Sequence, residues 1–188
     1  MKNRLITLSI ALIAAAAARG TTVIPPSFDQ LVDQAEVIFQ GGVTGVRSQW
    51  VGEGAQRHIV SYVTFRIEDT LKGEAGSSYT MQMLGGTVDG ETMEVTDCPK
   101  FQVGDRDILF VEHNGSQFVP LVGIMNGRFR LQHDEASGNE VVVTGEGHPV
   151  ANVSQLGKDE EAISIGQVLS TDQFKSEIRS RMKPKAEQ

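Results

Sequence analysis

The stretch from Arg57 to Leu71 constrains this chain more than any other. Ile59, Ser61, Val63, Phe65 and Ile67 alternate with Val60, Tyr62, Thr64 and Arg66. That period of two places successive side chains on opposite faces of a strand. Lys72-Gly73 and the polar run Glu74 to Ser78 end it, and strand patterns recur on both sides. Val37 to Val46 reads as a strand whose glycines, Gly41, Gly42 and Gly45, sit where a bulge or a barrel bend would fall. Tyr79 to Leu84 is another, interrupted by Gly85-Gly86, and Thr92 to Val95 is a weaker one. The apolar run in Asp107 to Glu112 is continuous, as expected of a central strand. Phe118 to Met125, Arg128 to Gln132 and Glu140 to Thr144 complete the set. Asn126-Gly127 between two of these predicts a type I′ hairpin and a three-strand meander.

Helical signals flank the strands. Ser27 and Gln30 have capping-box spacing before Phe28, Leu31, Val32 and Ala35, which fall on one helix face. Ser170 or Thr171 caps a final helix whose Phe174 and Ile178 face inward. The expected fold is mainly β: a small closed antiparallel barrel with a short N-terminal helix and a C-terminal helix. Closure would hide the strand edges; a sandwich is the alternative. The expected organisation is a signal peptide over 1–18, a leader and short helix over 19–36, a barrel over 37–145, and a polar loop with the C-terminal helix over 146–188.

The first residues read as an export signal. Lys2 and Arg4 give a positive start, Leu5 to Ala18 is uncharged, and Ala16-Ala17-Ala18 suits a signal peptidase. That run is shorter than the roughly 20 residues a membrane-spanning helix needs. Neither a lipidation cysteine nor an Arg-Arg pair accompanies it. The expected location is therefore the periplasm or the extracellular space, with no stable membrane insertion after cleavage. Cys98 is the single cysteine of the 188 residues, so no internal disulfide can form and the core must carry the stability.

The formal net charge is −7, and loss of Lys2 and Arg4 takes it to −9. This argues against nucleic acid as a partner, because phosphate binding needs clustered cations. Arg179, Arg181, Lys183 and Lys185 gather at the end of the last helix, where they suit the helix dipole. Phe129 between Arg128 and Arg130 reads as a core aromatic flanked by outward charges.

Three segments carry a resemblance. Ala35 to Val43, the strand end at Leu71-Lys72-Gly73, and Phe101-Gln102-Val103-Gly104-Asp105-Arg106 leading to Leu109-Phe110-Val111 resemble the OB-fold barrel of tissue inhibitors of metalloproteinases and netrin-like domains. More closely, they resemble uncharacterised exported bacterial proteins built on that barrel. The resemblance spans about residues 35–130 and implies contact with a partner through the mature N-terminus, Arg19-Gly20-Thr21-Thr22-Val23, and through the Gly85-Gly86 loop. The family's inhibitors place a disulfide-held N-terminal cysteine on a protease zinc. No cysteine stands there in this sequence, so that mechanism does not carry over.

Catalytic and metal motifs are missing from the sequence. His58, His113, His133 and His148 are isolated, and no zinc-type ligand spacing occurs. Cys98 follows Asp97, whose charge disfavours a thiolate. No Gly-x-Ser-x-Gly is present, and Gly85-Gly86 lacks the lysine and hydroxyl of a phosphate loop. Asp89, Glu91, Glu94 and Asp97 form an acidic patch whose spacing matches no calcium loop. No cofactor is expected. The sequence therefore favours an exported non-enzymatic binding domain that engages another exported protein, with a metalloprotease as the partner class the resemblance implies. A hydrolase whose site forms only in three dimensions is the second reading, and would bring His58, His113 and an acid within about 5 Å of one another. An envelope-associated structural domain without a tight ligand is the third.

Overall fold

A computed structural model of the protein describes residues 25–135, 138–158 and 167–182. The expected signal segment and the contact positions Arg19, Gly20, Thr21, Thr22 and Val23 lie outside them. The alternating stretch is strand β2 (His58–Lys72), which pairs antiparallel with β1 (Val37–Val51) on one side and β3 (Ser78–Leu84) on the other. Register shifts beside Gly41 and between Val43 and Gly45 show the bulges that the glycines predict. β1 also pairs with β6 (Arg106–Val111), followed by β7 (Arg128–His133) and β8 (Glu140–Thr144). The result is a six-stranded antiparallel sheet in the order β3-β2-β1-β6-β7-β8. A separate ribbon joins β4 (Gly86–Val88) to β5 (Glu91–Met93).

The sheet is mainly β as expected, but it is open. Among the described residues nothing pairs β3 with β8, so the closed barrel is corrected to an open sheet. The cause lies in its two central strands, which are apolar on both faces. Ile38, Ile108 and Phe110 face one cluster, and Phe39, Leu109 and Val111 the other. A barrel wall has one inner face, whereas a strand buried on both needs a layer on each side. Helices α1 (Phe28–Gln34) and α2 (Thr171–Met182) supply one layer. Phe28, Phe110, Phe129 and Phe174 meet there with ring centroids 4.7–6.4 Å apart. Phe101, Val119 and Leu121, from outside the strands, close the opposite face over Phe39 and Phe65.

With closure absent, the edges are covered by other means. On β3 the side chain of Asn114 acts as a fragment of strand: its Oδ1 accepts from Gln82 N at 2.9 Å and its Nδ2 donates to Thr80 O at 2.9 Å. Leu84 N donates to Phe118 O beyond it. On β8, Val142 N donates to Leu169 O, and Val150 N donates to Val142 O. Unpaired backbone at both edges is thereby satisfied.

Both helices start on Ser-x-x-Gln. Ser27 and Gln30 form the predicted capping box, and Ser170 forms the same reciprocal pair with Gln173. Lys72 donates to Val32 O and Asp33 O at 2.7 and 3.1 Å, placing a cation at the C-terminal end of α1. Gly73 then runs so close that a Cβ would lie 2.4 Å from Glu36 O, and its φ is +69°. The Lys-Gly ending of β2 is thus a helix cap and a close crossing.

Two further expectations are corrected. Phe118 to Met125 forms bends and turns instead of a strand, meeting the sheet through a bridge from Leu121 to Val111 and through hydrogen bonds at Phe118 O and Val122 N. Gly127 consequently serves close packing: its carbonyl accepts from Phe110 N, and a Cβ there would lie 2.9 Å from Phe110 O. Neither Asn126 nor Gly127 has positive φ, so no type I′ hairpin forms. Of the helix-end cations, Arg179 binds Asp69 together with Lys175, and Arg181 binds Asp29 and Glu177, while Lys183 and Lys185 lie outside the described residues.

Candidate binding cleft

Gly85 and Gly86 carry the chain from β3 into the ribbon, and their backbone explains why both are glycine. Their φ angles are +95° and +137°. Gly85 N donates to Ile59 O, and Ser61 Oγ donates to Gly85 O at 2.6 Å. The hydroxyls of Ser48 and Ser61 are 2.8 Å apart beneath the crossing. A Cβ on Gly86 would sit 2.3 Å from Ser61 Oγ and 2.4 Å from Ser48 Oγ. Gly86→Ala is therefore expected to cost about 1–3 kcal/mol, since both φ and space are wrong for a side chain. Urea unfolding would measure the loss. Amide exchange should quicken first in Gly86–Met93, and uniform loss of protection would contradict this local account.

The ribbon does not lie flat on the sheet. Between the two runs an open cleft of about 350 Å³, floored and walled by Val46, Val63, Met83, Met93, Val95 and Phe101. Ser48, Ser61, Thr87 and Thr92 add hydroxyls, and Cys98 and the Glu94–Lys100 pair also line it. This volume falls at the lower end of the roughly 300–1,000 Å³ typical of small-ligand cavities. Burial pushes the half-buried Cys98 thiol above its ordinary value, with nearby Lys100 opposing the effect, so the sulfur is a neutral wall atom.

Asp89, Glu91, Glu94 and Asp97 are all exposed, on the ribbon and the turn after it. Asp89 and Asp97 have φ of +52° and +57°, a conformation aspartate tolerates well. Lys100 Nζ lies 2.8 Å from Glu94 Oε1 and holds that carboxyl below its usual range. Both partners are solvent-exposed, so the pair adds little to stability.

The wall bearing Phe101 is fixed from behind by a residue that the sequence misassigned. Arg128 is 5% exposed, and its guanidinium lies 4.1 Å from the Phe101 ring centroid. It donates to Lys100 O at 2.7 Å, to Asp105 Oδ2 at 2.9 Å, and to both oxygens of Asp107 at 2.8 and 3.2 Å. Arg128 was expected to point outward and instead ties β6, β7 and the cleft wall together. Asp107 is fully buried, and lost hydration outweighs the Arg128 bonds, leaving its carboxyl above the ordinary value. No local pattern announces this pair, because Asp107 and Arg128 meet only when β6 pairs with β7.

The histidines are dispersed. His58 Nδ1 is 2.8 Å from Gln56 O, His113 lies beside Glu36 and Glu112, and His148 lies beside Glu146. Among the described residues no three His, Cys, Asp or Glu side chains converge to hold a metal ion. Among them, too, no helix is long and apolar enough to cross a membrane. No family model matches the chain, and no curated protein or solved structure matches it either. The likeness to inhibitor and netrin-like domains therefore rests on its short motifs alone.

Proposed function

We propose that this chain is an exported, non-enzymatic binding domain that engages another exported protein through the cleft beside Gly85-Gly86. One observation carries the reading: an open, mostly apolar cleft whose wall is anchored by a buried arginine that makes four hydrogen bonds. Preformed apolar recesses with a few polar groups at the mouth are where proteins take up ligands and partner side chains. The thiol in the wall is held neutral, and the nearest charged pair is an exposed lysine and glutamate, an arrangement suited to contact. A protease is the partner class that the motif resemblance adds, and export follows from the leading apolar segment.

The test is affinity capture by the mature protein from the secreted fraction of its own host, beside a Val46→Trp variant. Val46 is 42% exposed and lines the cleft, so tryptophan would fill the space without entering the core. The expected result is one protein captured at stoichiometric level by the parent and lost with the variant. Equal capture by both, or capture by neither, would overturn the reading.

A further inference from the structure

The outer strands of the sheet are covered, but a third length of strand edge is open. β6 lies beside residues 37–42 of β1, while β1 runs on to Val51. The direction of the backbone groups beyond that point follows from the ladder. Gly85 N donates to Ile59 O and Ile67 N donates to Ser77 O, so the odd-numbered residues of β2 turn their backbone toward β3. Opposed residues of an antiparallel pair exchange both bonds or neither. Val46, Ser48 and Trp50, opposite Val63, Ser61 and Ile59, therefore turn their N–H and C=O away from β2. Val43, opposite Phe65, obeys the same rule: its N–H donates to Asp105 O and its C=O accepts from Gly104 N. Past that turn the edge is bare. Among the described residues, the backbone groups of Val46, Ser48 and Trp50 have no partner. A Cβ added to Gly45 would meet nothing within 4 Å, and Val46 is 42% exposed. Arg47 is the one charge in residues 45–51, and no lysine or proline guards the run.

A row of outward donors and acceptors recognises another extended backbone, and this edge suits its own copy. Laid antiparallel about a twofold axis at Ser48, Val46 of one copy meets Trp50 of the other on one face. Arg47 meets Gln49 on the opposite face. A β-branched side chain against an aromatic one is a favoured cross-strand pair, and no like charges stand directly opposed. The run holds no carboxylate, so the chain's acidic excess lies away from the seam.

We propose that two copies of this chain pair edge to edge through residues 46–50 of β1, joining their sheets across a twofold axis. The inference goes beyond the cleft reading and does not depend on it. Sedimentation equilibrium of the mature protein between ~1 µM and ~1 mM should show a monomer and a dimer in exchange. Position 49 reports the register, because a pair without mutual hydrogen bonds brings its side chains closest. Gln49→Glu sets a carboxylate opposite Arg47 at two places and should tighten the dimer about tenfold. Gln49→Arg sets like charges there and should weaken it about tenfold. Arg47→Glu/Gln49→Arg should restore the parent affinity. Trp50→Pro removes an outward N–H but no ladder bond to β2, so it should leave a monomer, while Trp50→Phe should still dimerise. Circular dichroism checks that each variant is folded. A monomer throughout the range, whatever else the edge captures, would overturn the proposal. So would a dimer indifferent to the charges at positions 47 and 49, since it would use another surface.

Discussion

Replacing Arg128 by methionine should destabilise the protein by about 3–5 kcal/mol at neutral pH, the typical cost of leaving a buried charge without its partner. Asp107 would be that charge: it is fully buried, and both its oxygens accept from Arg128. Asp105, which shares the guanidinium, is partly exposed and also accepts from Gln102 N, so it tolerates the loss. The sign of the pH dependence follows from the direction of the Asp107 shift. A carboxyl whose folded pKa lies above its unfolded value binds its proton more tightly in the folded state. Its ionised form costs stability above the folded pKa, and that cost disappears as pH falls toward the unfolded value. Without Arg128 the folded pKa rises further, so the deficit of Arg128→Met should be largest at pH ~7 and clearly smaller at pH ~4.5. Arg128→Met/Asp107→Leu should recover most of the loss, because no buried carboxylate remains. Urea titrations of the three proteins at both pH values make the comparison. A deficit that grows in acid, or a double variant no better than the single, would show that Asp107 is not the source.

What could be read from sequence divides along local and non-local lines. The β2 alternation, the bulge glycines in β1, the central position of β6, the Ser27-x-x-Gln30 start of α1 and a cap at Ser170 for α2 all depend on residues within one element, and all are found. The barrel depended on how strands far apart in sequence meet, and there the expectation failed. A sign of the open sheet was already present in Ile108-Leu109-Phe110-Val111, which is apolar on both faces and so calls for two covering layers. The edge covers were illegible, since the Asn114 contact with Thr80 and Gln82 spans more than thirty residues. At the candidate site the glycine pair was visible and the cleft was not. Gly85-Gly86 announces a special backbone, but the residues that make a recess of it come from β1, β2, β3, β5 and the segment around Phe101.

Phe174→Ala is expected to cost about 3–5 kcal/mol and to do more than loosen a helix. The ring is fully buried, with centroids 5.4 Å from Phe28, 6.4 Å from Phe110 and 4.7 Å from Phe129, so it joins both helices to β6 and β7. The polar attachments of α2 are weak by comparison. Arg179 and Asp69 are substantially exposed, and Arg179→Ala should cost under about 1 kcal/mol. Just before α2, Leu169 O accepts from Val142 N, and Ser170 bridges to Val141 on the outer side of β8. If the phenylalanine anchor goes, the cover on that edge loosens with the helix. Backbone of an apolar strand, Val141-Val142-Val143, then becomes available for pairing between molecules. The variant should therefore show a lower urea midpoint, faster amide exchange in β8 than in β2, and concentration-dependent association on mild warming. Arg179→Ala should show none of these. A Phe174→Ala protein that loses less than about 1 kcal/mol, or exchanges β2 as fast as β8, would mean that α2 is an accessory to the sheet.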